Sequence, residues 1–340
     1  ENIKGIDLQS QFPSMGWSQA QSIRKALNEF KAEGKFIYSY GDYYSQKGYY
    51  LASVSDSIFL NPLGGMEFKG LAAEVLYYKD FQNKYGFKME VVRHGKYKSA
   101  VEPYLESEMS VANRTQIQSL LNSIWGTGRE EIETSLSFLA AKLKSIAEEL
   151  TANLPENAME VGLIDGVIYE SDYDAKLKTA LGLEEDDKIR KADLNQLTGG
   201  NGLYKKGVRE RIAVIYAQGP VLYGEGTEYI IGQEVFLDAI QDAVDNRRVK
   251  AIVLRIDSPG GSALSSDIIW NALMKAKEKK PLVVSMGNVA ASGGYYLAVA
   301  GDEIYANDLT ITGSIGVFAT VPNAKQFTES IGINAQHVMT

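Results

Sequence analysis

The sequence predicts an α/β protein built by tandem duplication, and three observations lead there. Short apolar runs alternate with helix-like segments at the start of the chain. The same order returns near its end, and a long helical region lies between the two copies.

Taken in order, Ile6 to Leu8 reads as the end of a strand and Pro13 to Gly16 as a turn. Ala20 to Ala32 carries Ile23, Ala26, Leu27 and Phe30, the i, i+3, i+4, i+7 spacing of an amphipathic helix. Phe36 to Tyr40 is a second strand, Gly41 to Gly48 a turn, Tyr49 to Ser53 a helix start, and Ile58 to Leu60 a third strand. Such alternation implies a parallel sheet covered by helices.

Shifting the numbering by 246 lays Lys4–Gly70 beside Lys250–Gly316 without a gap, and twenty of those 67 positions are identical. Gly48-Tyr49-Tyr50-Leu51-Ala52 meets Gly294-Tyr295-Tyr296-Leu297-Ala298, Pro13 meets Pro259, and Asp56 meets Asp302. The copies differ in chemistry. Ser292 faces Gln46, and Gly260-Gly261 face Ser14-Met15. Copy two also has a strand-like run, Arg211 to Val221, whose partner would fall before residue 1, so the chain is expected to be a piece cut at both ends.

Between the copies, Ile117, Leu120, Leu121, Ile124 and Trp125, then Ile132, Leu136, Leu139, Leu143, Ile146 and Leu150, form helical stripes suited to core or subunit packing. Val161 to Val167 supplies a C-cap glycine and a short strand. Glu184 to Asp187 is a solvated acidic run, and Thr198 to Gly202 with Lys205-Lys206 is the expected linker. Two domains follow: residues 1–200, the first repeat with its helical arm, and 207–340, the second repeat.

Composition narrows the function. With 45% hydrophobic and 23% charged residues the chain is globular rather than disordered. A net charge of -8 speaks against a nucleic-acid surface. The absence of cysteine removes disulfides, thiol nucleophiles and zinc–thiolate sites. No signal peptide or transmembrane run is present, so any membrane signal is expected outside this chain.

The stretch Leu282–Gly301 concentrates the chemistry. A Val-rich strand, a cluster of the smallest residues (Ala290-Ala291-Ser292-Gly293-Gly294) and a helix-like run succeed one another. A serine at such a turn presents its hydroxyl, and the N–H groups at the helix start await an oxyanion. The plain alternative is an N-cap serine with turn glycines. A serine nucleophile needs a base, and Arg93-His94-Gly95-Lys96-Tyr97-Lys98 offers His94, Lys96 and Lys98. Lys98 is the sharper candidate if burial lowers its pKa.

Ser292 in Ala-Ala-Ser-Gly-Gly-Tyr-Tyr, Ser258-Pro259-Gly260-Gly261, Thr312-Gly313-Ser314-Ile315-Gly316 and Tyr97-Lys98-Ser99-Ala100-Val101-Glu102-Pro103 together resemble the signal peptide peptidase A family in its long duplicated form. The resemblance spans both repeats and implies a tandem crotonase/ClpP-like fold of ββα domains with a helical arm. It implies a membrane-anchored serine endopeptidase with a Ser-Lys dyad that cleaves remnant signal peptides, works without cofactor or metal, and does not bind nucleic acid. Ser292 would be the nucleophile, Lys98 the base at the contact between the copies, and Ser314 a hydrogen-bond partner of the lysine amine. The N–H groups of Gly293 and of Gly260 or Gly261 would form the oxyanion hole. A homo-oligomer, specifically a tetramer, with catalytic domains on the extracytoplasmic, periplasmic side is implied as well. Two rivals are an acyl-CoA enzyme of the same fold using Asp257 as base, and a non-catalytic scaffold.

Overall fold

A computed structural model describes residues 3–193, 209–336 and 338–340. The expected linker and His337 lie outside the described residues. The chain forms two compact units: residues 1–71 with 124–210 and 307–309, and residues 72–123 with 211–306 and 310–340. This departs from a single division near residues 200–207, because residues 72–123 join the second unit. The strand Lys88–His94 pairs antiparallel with Val317–Asn323 there, from Lys88 opposite Asn323 to His94 opposite Val317.

The first unit is built on a parallel sheet ordered Gly5–Leu8, Phe36–Tyr44, Ser57–Met66, Gly166–Val167. Helices Trp17–Ala32 and Gln46–Ala52 make the connections. The second unit repeats the plan with strands ordered Glu303–Tyr305, Leu282–Ala291, Val249–Ser258, Arg211–Gln218, again parallel, and with helices Ala263–Lys277 and Gly293–Ala298. Its core holds Ile252, Leu254, Ile269, Leu273, Leu282 and Val284, all fully buried. Each such side chain contributes roughly 1.5–3 kcal/mol by leaving water.

The offset of 246 survives at the level of single contacts. Lys31 pairs with Asp56 at 3.0 Å and donates to Val54 O at 2.8 Å; Lys277 pairs with Asp302 at 3.2 Å and donates to Ala300 O at 3.2 Å. Each lysine ties the end of one helix to the loop that follows the next.

Two expectations are corrected. The turn expected from Gly41 begins later, because strand Phe36–Tyr44 shifts register between Gly41 and Tyr43 and runs on to Tyr44, and its counterpart Leu282–Ala291 shifts likewise between Met286 and Ala290. Glycine marks a bulge as well as a turn. Both bulges are pinned from the same repeat position: Gln11 Oε1 accepts from Tyr43 N at 3.3 Å, and Asp257 Oδ1 accepts from Val289 N at 3.1 Å. In helix Trp17–Ala32, Ile23 is 38% exposed while Arg24 is buried. The guanidinium replaces its water with Ser53 Oγ at 2.7 Å, Glu131 O at 2.8 Å, Ser135 Oγ at 2.6 Å and the carbonyl of Tyr50.

The helical region forms Val111–Leu136 and Ala140–Glu149. Of its stripe, Ile124, Ile132, Leu143 and Ile146 are buried, whereas Leu120, Leu139 and Leu150 are exposed.

Candidate active site

Ser292 stands between strand Leu282–Ala291 and helix Gly293–Ala298, with φ 52° and ψ -117°. An L-residue adopts that conformation at a cost of order 1–3 kcal/mol, so the surroundings must impose it. They do so through backbone: Ser292 N donates to Gly313 O at 2.9 Å, and Tyr296 N donates to Ser292 O at 2.9 Å.

The loop after strand Val249–Ser258 closes on the same point. Gly260 has φ +91°, and a Cβ there would fall 2.4 Å from Gly293 N and 2.8 Å from Ser292 Cβ. Only glycine lets the two chain segments approach so closely. Gly261 follows at φ +154°, and a Cβ on Gly293 would lie 3.2 Å from Gly261 N. The structure thus brings Gly260, Gly261 and Gly293 together beside Ser292. Gly260 N already donates to Ser258 Oγ at 3.1 Å.

Lys98 reaches this point from a sequence distance of 194 residues. It is 3% exposed, and its Nζ donates to Ser292 Oγ at 3.0 Å, Ser314 O at 2.7 Å and Ser314 Oγ at 3.1 Å. All three partners are uncharged oxygens, and the ring of Phe318 lies 6.0 Å from the amine. Burial therefore pulls the Lys98 pKa below the ordinary lysine value. The approach again needs a glycine: a Cβ on Gly316, φ +129°, would sit 2.6 Å from His94 O and 3.3 Å from Lys98 Cβ. His94 and Lys96, the other bases considered, are exposed.

One support was missed in the sequence. Glu102, 3% exposed, anchors the segment after Lys98 by accepting from Tyr77 Oη at 3.1 Å, Ser110 N at 3.0 Å, Ser110 Oγ at 2.7 Å and Asn113 Nδ2 at 3.1 Å. Burial raises its pKa, but these bonds outweigh burial and hold the carboxyl below the usual range. Its place in the Tyr97–Pro103 motif was the available signal. Asp257, the alternative base, is occupied at the bulge, where it accepts from Asn288 Nδ2 at 3.0 Å as well as from Val289 N.

The first-repeat positions that correspond to the serines and glycines have none of this chemistry. Gln46 stands for Ser292, Phe68 for Ser314, Lys47 for Gly293 and Ser14-Met15 for Gly260-Gly261. Among the described residues, the non-glycine positive-φ positions are Ser137, Leu150, Ser292 and Ser314, so the strained backbone is absent where the serines are absent.

Residues 29–184 and 274–340 match the model of peptidase family S49. The chain is 35% identical to Protease 4 of Haemophilus influenzae, covering 99% of this chain and 57% of that one. Protease 4 of Salmonella typhi is 34% identical, covering 100% and 56%. Serine protease SPPA, chloroplastic, of Arabidopsis thaliana is 32% identical, covering 99% and 50%. The chain spans about half the length of these relatives.

Proposed function

The chain belongs to peptidase family S49, and from that membership we propose that it is a serine peptidase in which Ser292 is the nucleophile and Lys98 the general base. The observation that carries the reading is the buried Lys98 amine 3.0 Å from Ser292 Oγ. A neutral lysine takes the Ser292 proton as Oγ bonds to the peptide carbonyl carbon. Ser314 steers the amine through its hydroxyl and carbonyl oxygens. With Gly260 N engaged by Ser258, the N–H groups of Gly261 and Gly293 are the donors for the oxyanion. The protonated lysine then gives its proton to the leaving amine as the C–N bond breaks, and water hydrolyses the acyl-serine.

The substrate class that suits the site is an extended apolar peptide, since the glycine-rich strand end Ser258–Ser262 can pair with a peptide backbone. Remnant signal peptides are the proposed natural form of it. Among the described residues no helix is long and apolar enough to cross a membrane. Attachment to a membrane through other segments, an extracytoplasmic setting and a homotetramer belong to the same proposal. Asp257, fastened at the bulge, gives little support to an acyl-CoA reaction using it as base.

The test is hydrolysis of a short apolar peptide ester, with acylation by a serine-directed reagent followed by mass spectrometry. Ser292→Ala and Lys98→Ala should each cut kcat/KM by at least about a thousandfold, and only Ser292 should carry the acyl group. A wild-type rate in either variant sinks the dyad.

A further inference from the structure

A cleft of about 400 Å³ opens in the first unit, and its walls include Phe12, Pro13, Trp17, Gln46, Lys47 and Leu71. Moved by 246, the first five become Ser258, Pro259, Ala263, Ser292 and Gly293, and Leu71, one residue past the matched stretch, becomes Val317. The cleft is thus the first repeat's counterpart of the Ser292 site.

Much of its polar lining is already paired within the protein. Gln46 Oε1 accepts from Lys69 N and Gly70 N, both at 3.0 Å, and Gln46 Nε2 donates to Gly70 O at 3.1 Å. Lys47 donates to the carbonyl of Met15 and lies 5.6 Å over the Trp17 ring, while Lys69 pairs with Glu67 at 3.1 Å. Gln46 locks the loop that in the second repeat carries Ser314. Beside the exposed Lys69–Glu67 pair, what a ligand meets is chiefly apolar wall: Trp17, Leu71, and Phe12, which is 67% exposed and stacked on Tyr43 at 5.5 Å. A site whose hydrogen bonds are already satisfied gains free energy from a ligand chiefly by apolar contact.

We infer that the first repeat keeps a non-cutting peptide site, the Phe12–Trp17–Leu71 cleft, which holds an apolar side chain of an extended peptide. The choice of ligand rests on the peptidase reading of the second repeat. Loss of the nucleophile at position 46 removes turnover there and leaves binding.

The test uses the full chain carrying Ser292→Ala and a blocked leucine–alanine peptide bearing a benzophenone side chain, with cross-links mapped by mass spectrometry. Cross-links are expected both around Phe12, Trp17 and Leu71 and around Ser258 to Ser292. Phe12→Ala combined with Leu71→Asp should lower the first set by about tenfold and spare the second. With Ser292 restored, the same pair of substitutions should leave ester hydrolysis unchanged. Cross-links around Ser292 alone overturn the inference and leave the peptidase reading standing. Cross-links in the first repeat alone, with no ester hydrolysis, support the cleft and overturn the peptidase reading. Cross-links at neither place overturn the inference, and ester hydrolysis then decides the peptidase reading by itself.

Discussion

Ser292 and Ser314 share a backbone φ of 52°, and the same amine, that of Lys98, donates to both hydroxyl oxygens. The N–H of Ser292 donates to Gly313 O, directly before Ser314, so the two strained residues are braced against each other. Strain of this kind persists only where neighbouring structure over-determines it.

Replacing Ser292 separates the cost of the conformation from the loss of the hydroxyl. Ser292→Ala keeps a Cβ at positive φ, whereas Ser292→Gly removes it. The glycine variant should be the more stable of the two by about 1 kcal/mol, read from urea midpoints. Equal midpoints would mean that the turn holds no strain.

Lys98 should weaken the fold that it serves. Its folded pKa lies below the unfolded value of 10.5, so between the two the unfolded chain binds more protons and stability rises with pH. Below the folded pKa the cost of the buried ammonium is carried in full. Lys98→Met is expected to be inactive yet more stable than wild type at pH 7 by about 1 kcal/mol. That advantage should shrink as pH approaches 10.5. Denaturant melts at neutral and alkaline pH test it, and a variant less stable at both would refute it.

Ser314→Ala removes one acceptor for the Lys98 amine and leaves the Ser314 carbonyl in place. A bond to a charged group is worth about 1.5–3 kcal/mol, so kcat should fall roughly 10- to 100-fold with little change in KM. An acceptor favours the ammonium, so its loss lowers the lysine pKa, and the rising limb of the pH–rate profile should move to lower pH. A drop in kcat with an unmoved limb would assign Ser314 a purely structural part.

How much of this was legible depends on the range of the determinants. The 246 offset and the Ser292 motif could be read because small residues and glycines in fixed register mark where chain segments meet. Arg24 could not be placed, since its burial depends on Ser53, Glu131 and Ser135, up to 111 residues away. The bulge at Gly41 reads as a turn because glycine suits both. Lys98 was readable as a candidate from its motif, and the family resemblance set Ser314 beside it, but the burial that suits it to the role depends on packing that includes Phe318, which the sequence alone does not bring near. The positive φ of Ser292 left no trace, as serine has no preference for that region.

The position of Lys98 in the chain has a consequence for biosynthesis. The ribosome delivers this amine long before the strand, turn and helix that receive it, so a nascent chain holds an ordinary solvated ammonium opposite nothing. The amine and the serine hydroxyl can meet only after a further 194 residues have been made, so the pair proposed to cut peptides cannot form in a shorter nascent chain.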